Sequence, residues 1–336
     1  RMSMKSLTAK KWLGLAAVLC LAMMFVATSA IAAEKIEVKF SHVVADATPK
    51  GQASLKFKEI LDKSGIFDVK VYPSSQLYGD KEELEALRAN NVQVIAPSMT
   101  KLVGFNPQFQ IVDMPFLFAS DDAVAAFWKS EKGKTLFNSV RRAGFMGIAH
   151  WPNGFTQFIN SKRPLKKPAD FKGLKLRVQS GGLLDARNKA LGAGSQTMAF
   201  AEVYQALNSH AIDGLDNTFN NHETQKFYEV AKYLTIGNFT RIDYSVLTNV
   251  KFWDSLKPDQ QKIFMAAMDE ATEYERKLSM EMDRKSFEIM KNSGKLEIYT
   301  LTPAERQEFI KALNPLYKQY EKKIGKDNMD YAMSLK

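Results

Sequence analysis

The sequence predicts an α/β protein built from two related lobes and a long helix, and three observations carry that expectation. Strand-like alternation and helical periodicity follow one another along the chain, the rhythm of a parallel α/β sheet. The same rhythm restarts past residue 173 with a segment that overlays on the first. Finally, the stretch Pro258 to Asn292 contains no glycine and no later proline.

The elements read in order. Ile36, Val38 and Phe40 alternate as a strand. A helical pattern runs from Gln52 to Lys63, with Ala53, Leu55, Phe57, Ile60 and Leu61 apolar. A strand at Val69–Pro73, a helix at Lys81–Ala89 and a strand at Val92–Ala96 follow. In the second half, Leu174–Val178 is a strand, Leu183–Leu191 a helix, Gln196–Met198 a strand and Ala201–Leu207 a helix. Ala86 to Gln93 overlays without gaps on Ala206 to Asp213, each a helix end, a polar turn and a strand start. Continuing that register sets Ala96-Pro97-Ser98 opposite Asp216-Asn217-Thr218. Ligands of such folds bind beyond the carboxyl ends of the strands, so Ser98 and Asn217 are expected to face one another across a cleft. The breaker-free stretch, as one helix of about 35 residues, spans roughly 50 Å and reads as a spine along both lobes.

The N-terminus points to export. Arg1, Lys5, Lys10 and Lys11 precede an apolar run from Trp12 to Val26, and small residues follow to Ala33. This is the pattern of a secretory signal peptide cleaved after Ala32 or Ala33, which places the protein in the periplasm. The run is shorter than the ~20 residues a membrane span needs. Cys20 lies inside it after Leu19, not at a lipobox. The leader holds four of the 47 Lys and Arg and none of the 37 acids, so the mature chain carries 43 − 37 = +6. It also holds the only cysteine, which excludes disulfides, thiol chemistry and cysteine metal sites from the mature chain. Basic residues are scattered among acids, and the densest run, Lys162 to Pro168, is broken by prolines. No nucleic-acid partner is expected; a mild positive field favours anions.

No catalytic constellation emerges. The four histidines, His42, His150, His210 and His222, show no metal spacing, and HExxH, GxSxG and P-loop motifs are missing. No catalytic residue, metal or cofactor is therefore expected. Arg177 is the residue that invites a ligand. It alternates with Leu176 and Val178 near a strand end, just before Gly181-Gly182 and a helix start. A planar guanidinium there can grip both oxygens of a carboxylate. A surface arginine on an edge strand shows the same pattern.

The ordered segments Phe40-Ser41-His42-Val43-Val44-Ala45-Asp46, Tyr72-Pro73-Ser74-Ser75-Gln76-Leu77, Asp113-Met114-Pro115-Phe116-Leu117-Phe118 and Asn153-Gly154-Phe155 resemble the solute receptors of TRAP transporters, the DctP-like family. So do Asp170 to Val178, Met198 to Tyr204 and Gln225 to Val230. The likeness covers nearly the whole mature chain, and Ser41 to Asp46 with Thr48-Pro49-Lys50-Gly51 is similar to the C4-dicarboxylate branch. The resemblance implies a two-lobed periplasmic binding protein fold with hinge strands and a spine helix, lobe I being 34–153 plus 243–283 and lobe II 154–242 plus 284–336. It implies a monomer that binds a small organic acid through Arg177 and Asn217, with Phe200 and Phe219 lining the pocket, and that delivers the acid to a membrane permease. A periplasmic enzyme on the same scaffold and a ligand-binding accessory of a chemoreceptor are the alternatives. Many relatives carry Arg or Lys where this chain has Thr156. A second ligand carboxylate would then need Lys101, Arg241 or His42; otherwise a monocarboxylate is expected.

Overall fold

The computed structural model describes residues 34–335, so the expected leader lies outside the described residues. Its strands are β1 (Ile36–Ser41), β2 (Phe67–Tyr72), β3 (Val94–Ile95), β4 (Phe145–Phe155), β5 (Gln157–Asn160), β6 (Lys175–Val178), β7 (Gly194–Thr197), β8 (Gly214–Asn217), β9 (Tyr233–Ile236), β10 (Arg241–Asn249) and β11 (Glu297–Thr300). They form two sheets, ordered β2-β1-β3-β10-β4 and β11-β9-β5-β8-β6-β7. Each sheet is the heart of one lobe.

The expected parallel sheets are in fact mixed. β1 runs parallel to β3, and β6 runs parallel to both β7 and β8. β10 and β5 then close onto β3 and β8 in the antiparallel sense. These antiparallel strands connect the lobes. β4 of the first sheet continues into β5 of the second across the single residue Thr156, and the chain returns from β9 to β10 through 237–240. The two crossings are tied together. Thr156 donates its N–H to Thr240 O at 2.9 Å, Phe239 N donates to Thr156 O at 3.1 Å, and the two threonine hydroxyls lie 2.9 Å apart.

The internal overlay holds at the level of single hydrogen bonds. Asn90 and His210, matched by it, are both left-handed, with φ of 61° and 59°. Asn91 N bonds Ala86 O as Ala211 N bonds Ala206 O, and Gln93 N bonds Lys39 O as Asp213 N bonds Lys175 O. Even the side chains correspond: Gln93 Oε1 accepts from Lys39 N, and Asp213 Oδ2 accepts from Lys175 N. The two halves therefore present equivalent strand ends to each other.

The spine helix runs from Pro258 to Asn292 as one element. Proline at its first position costs no hydrogen bond, and Gly294 at φ +67° lets the chain turn away after it. It packs on the helix Pro49–Asp62, on β4 and on the helix Phe219–Thr224. Trp151 of β4 donates Nε1–H to Thr272 of the spine at 2.9 Å, pinning hinge strand to helix. A Cβ at Gly214 would lie 2.3 Å from Ile159 O and 2.6 Å from Asn160 Cβ, so β8 and β5 pair only because this residue is glycine. Gly214→Ala should destabilise the protein by about 1–3 kcal/mol. It should lower the urea midpoint with an unchanged slope; an unchanged midpoint would show that the strands separate freely.

Candidate ligand-binding cleft

Four parallel strands of the two lobes end at one place. Val43 and Val44 follow β1, Ser98 follows β3, Gln179 follows β6 and Asn217 closes β8, and all of them line one small cavity of about 30 Å3. Lys50, Asp80, Arg177, Phe200, Asn221, Ile242 and Tyr244 complete its wall. Arg177 is 4% exposed and turned inward. Its Nε and Nη2 donate to Met198 O at 3.1 and 2.9 Å, which fixes the guanidinium and leaves its Nη1 edge for a ligand. Its centre lies 5.8 Å from the Phe200 ring. Asn217 Oδ1 already accepts from Asn221 Nδ2 and Thr218 N, so its amide NH2 remains to donate. Ser98 Oγ is buried with no partner. Arg177, Asn217, Ser98 and Phe200 are thus brought together.

The other expected residues lie elsewhere, each for a physical reason. Thr156 sits at the β4–β5 crossing with its hydroxyl spent on Thr240. Phe219 packs on Phe287 of the spine, 4.9 Å between rings, and lines a different cavity. His42 is fully buried against Ser54 Oγ at 3.1 Å; burial, then the neighbouring Lys50 charge, pulls its pKa down to about 3, so it is neutral. Arg241 pairs with Asp243 at 3.0 Å and with Asp121, and stacks over Phe155. Its charge is consumed there, beside the second cavity. Lys101 approaches the cleft but donates to Gln179 O at 2.6 Å and lies 3.8 Å from Asp80.

The cation that sequence reasoning missed is Lys50. It is 1% exposed, donates to Ala96 O at 2.8 Å and sits 3.6 Å over the Tyr244 ring. Burial lowers its pKa, opposed by Glu83 and Asp80. A signal was present: Lys50 stands in the first turn of a helix capped by Thr48, where the helix dipole disfavours a cation. Asp80 and Asn221 were missed too, lying in segments with no distinctive pattern.

A larger cavity of about 480 Å3 lies between the end of β4 and the spine, lined by Phe155, Phe219, Met280, Asp283 and Phe287 among others. Volume does not decide between the cavities: Arg177, Lys50 and the parallel strand ends belong to the small one, where an anion would meet buried cations. Among the described residues no group of acids, histidines or cysteines could hold a metal ion, and no helix is long and apolar enough to cross a membrane.

A two-lobed cleft with inward cations at strand ends defines a receptor for small anions. Comparison with known proteins makes this specific. Residues 40–323 match the family described as bacterial extracellular solute-binding protein, family 7 (DctP), and the chain belongs to it. It is 42% identical over 300 residues to the C4-dicarboxylate-binding periplasmic protein DctP of Rhodobacter capsulatus, covering 88% of this chain and 90% of that one. It superposes at a TM-score of 0.88, with 41% identity, on a TRAP periplasmic solute-binding protein of Shewanella oneidensis with bound succinate, covering 90% and 99% of the two chains. A counterpart from Pseudomonas aeruginosa with bound L-malate matches at a TM-score of 0.83 and 35% identity, over 85% of this chain and all of that one. The protein is a solute receptor of the TRAP type and not an enzyme.

A buried acid behind the cleft, within reach of the Asp80 and Lys50 charges, gives the fold a pH signature. Glu83 is fully buried and neither carboxylate oxygen has a hydrogen-bond partner. Burial, then the Asp80 charge, pushes its pKa from 4.5 up to about 8. Between those pH values the folded state keeps a proton that the unfolded chain has lost, so Glu83 lowers stability as pH rises through the window. Glu83→Gln should make the fall in melting temperature between pH 4.5 and 8 shallower, with the buried Asp113 and Asp283 supplying part of what remains; an unchanged profile would show that Glu83 is ionised in the fold.

Proposed function

We propose that this chain is the periplasmic receptor for a C4-dicarboxylate, which it passes to a TRAP membrane permease. Arg177 and the Asn217 amide take one carboxylate, and Lys50 takes the other, with Ser98 and Tyr244 beside it. The observation that carries this reading is the pair of buried cations in one small cavity. Asp80 is matched by Lys101, 3.8 Å away, so Arg177 and Lys50 leave two positive charges; a monocarboxylate would leave one of these without a counter-charge, and an unpaired buried charge is very costly. The succinate-bound and malate-bound relatives at 41% and 35% identity support the same choice. Lobe I (34–153 plus 243–283) and lobe II (154–242 plus 284–336) close over the acid by bending at the two threonine-tied crossings.

Calorimetry with succinate and with butyrate, its one-carboxylate counterpart, tests the assignment. The wild-type chain should bind succinate far more tightly. Arg177→Ala should weaken succinate binding by about 30-fold to several thousand-fold, the effect of truncating one side of a desolvated charge pair. Lys50→Met should cost succinate a similar factor and leave butyrate unharmed, so that the preference collapses. A Lys50→Met variant that still prefers succinate as strongly as wild type would remove Lys50 from the site.

A further inference from the structure

The cavity wall contains one acid, Asp80, in a site built for anions. Electrostatics alone makes this unfavourable for binding, since a carboxylate beside Arg177 repels the ligand. Its position supplies a reason. Asp80 lies between β2 and the helix Glu83–Arg88, on the first lobe, yet its Oδ2 accepts the N–H of Phe200 on the second lobe at 2.6 Å. The same oxygen lies 3.8 Å from Arg177 Nη2 and 3.8 Å from Lys101 Nζ. Lys101, also on the first lobe, donates to Gln179 O on the second at 2.6 Å. Gln179 is two residues beyond Arg177, just past the end of β6, and Phe200 is two residues past Met198, the carbonyl that fixes the Arg177 guanidinium. Two cross-cleft hydrogen bonds, linked through an ion pair on the first lobe, therefore bracket the ligand arginine on both sides.

We propose that Asp80 is a positioning residue that latches the cleft: with Lys101 it binds the backbone flanking Arg177 and holds the lobes closed over the bound acid. The inference rests on the dicarboxylate-receptor reading. In the open form Phe200 N–H and Gln179 C=O face water, and Asp80 and Lys101 are hydrated. On closing, each becomes a buried charge with a backbone partner, the kind of hydrogen bond that contributes most. The ligand and the latch then share one guanidinium. Closure is strong only when the acid neutralises Arg177 and Lys50, and release needs only the latch to open.

The latch predicts a sign opposite to simple repulsion. In stopped-flow measurements with succinate, Asp80→Ala should raise the dissociation rate about 10- to 100-fold, as for loss of a hydrogen bond to a charged group, with the association rate nearly unchanged. Asp80→Asn keeps an oxygen for Phe200 N–H but loses the charge, and its dissociation rate should fall between those of Asp80→Ala and wild type. Both variants should keep the wild-type far-ultraviolet circular dichroism and a one-to-one stoichiometry for succinate, which separates a latch from a fold defect. Dissociation from Asp80→Ala as slow as wild type, or slower, would overturn the proposal, because that is what removing a repelling anion does. If Asp80→Ala fails to fold, Lys101→Met carries the test: faster release supports the latch and an unchanged rate overturns it. Wild-type protein that does not bind succinate at all would overturn the receptor reading itself, and the latch with it.

Discussion

Holding cations out of water is the constraint on which the rest of this structure depends. Lys50 and Arg177 are nearly completely buried, and burial works against the charge of each. Such groups persist only where backbone carbonyls, an aromatic face or nearby acids hold them. Ala96 O and the Tyr244 ring do this for Lys50, and Met198 O and Asp80 do it for Arg177. The residual positive charge is what a small dianion would satisfy. In the proposed receptor binding and closing are one event, because the anion would complete a charge balance that the empty closed cleft lacks.

The fold supplies that arrangement by repetition. Two halves with the same β-α-β-α-β start bring equivalent strand ends face to face, and the cavity forms where those ends meet. The lobes stay in register because the two crossing strands are stapled at Thr156 and Thr240 and because Trp151 anchors β4 to the spine. A second polar network lies at the hinge. Arg187 grips Asp216 through two hydrogen bonds of 2.7 and 2.8 Å, directly beside Asn217. Asp216 thus anchors the strand end that carries Asn217.

Much of this was legible in the sequence where a single local rule decided the outcome. The spine was readable to its last residue because nothing in it breaks a helix. The duplication was readable because its turn chemistry is local: both matched turns need a left-handed residue followed by a strand. Arg177 was readable from alternation at a strand end. The helix beginning at Pro49 was read three residues late, although Thr48 as a cap and Pro49 in the first turn mark its start. Lys50 was hidden by the same oversight, since a lysine in a helix normally faces water. Thr156 and Phe219 were assigned by likeness, and likeness carries no information about which way a hinge residue turns. Asp80 could not have been found at all, because its partner is a backbone N–H 120 residues away.

The central claim is that one cavity holds both ends of a dicarboxylate between Arg177 and Lys50. A crystal structure of the protein with succinate tests it most directly. A single succinate is expected at the β1, β3, β6 and β8 strand ends, with one carboxylate on the Arg177 guanidinium and the Asn217 amide, and the other on Lys50 Nζ. Succinate seated in the larger cavity beside the spine, or bound through Arg177 with its second carboxylate away from Lys50, would contradict it.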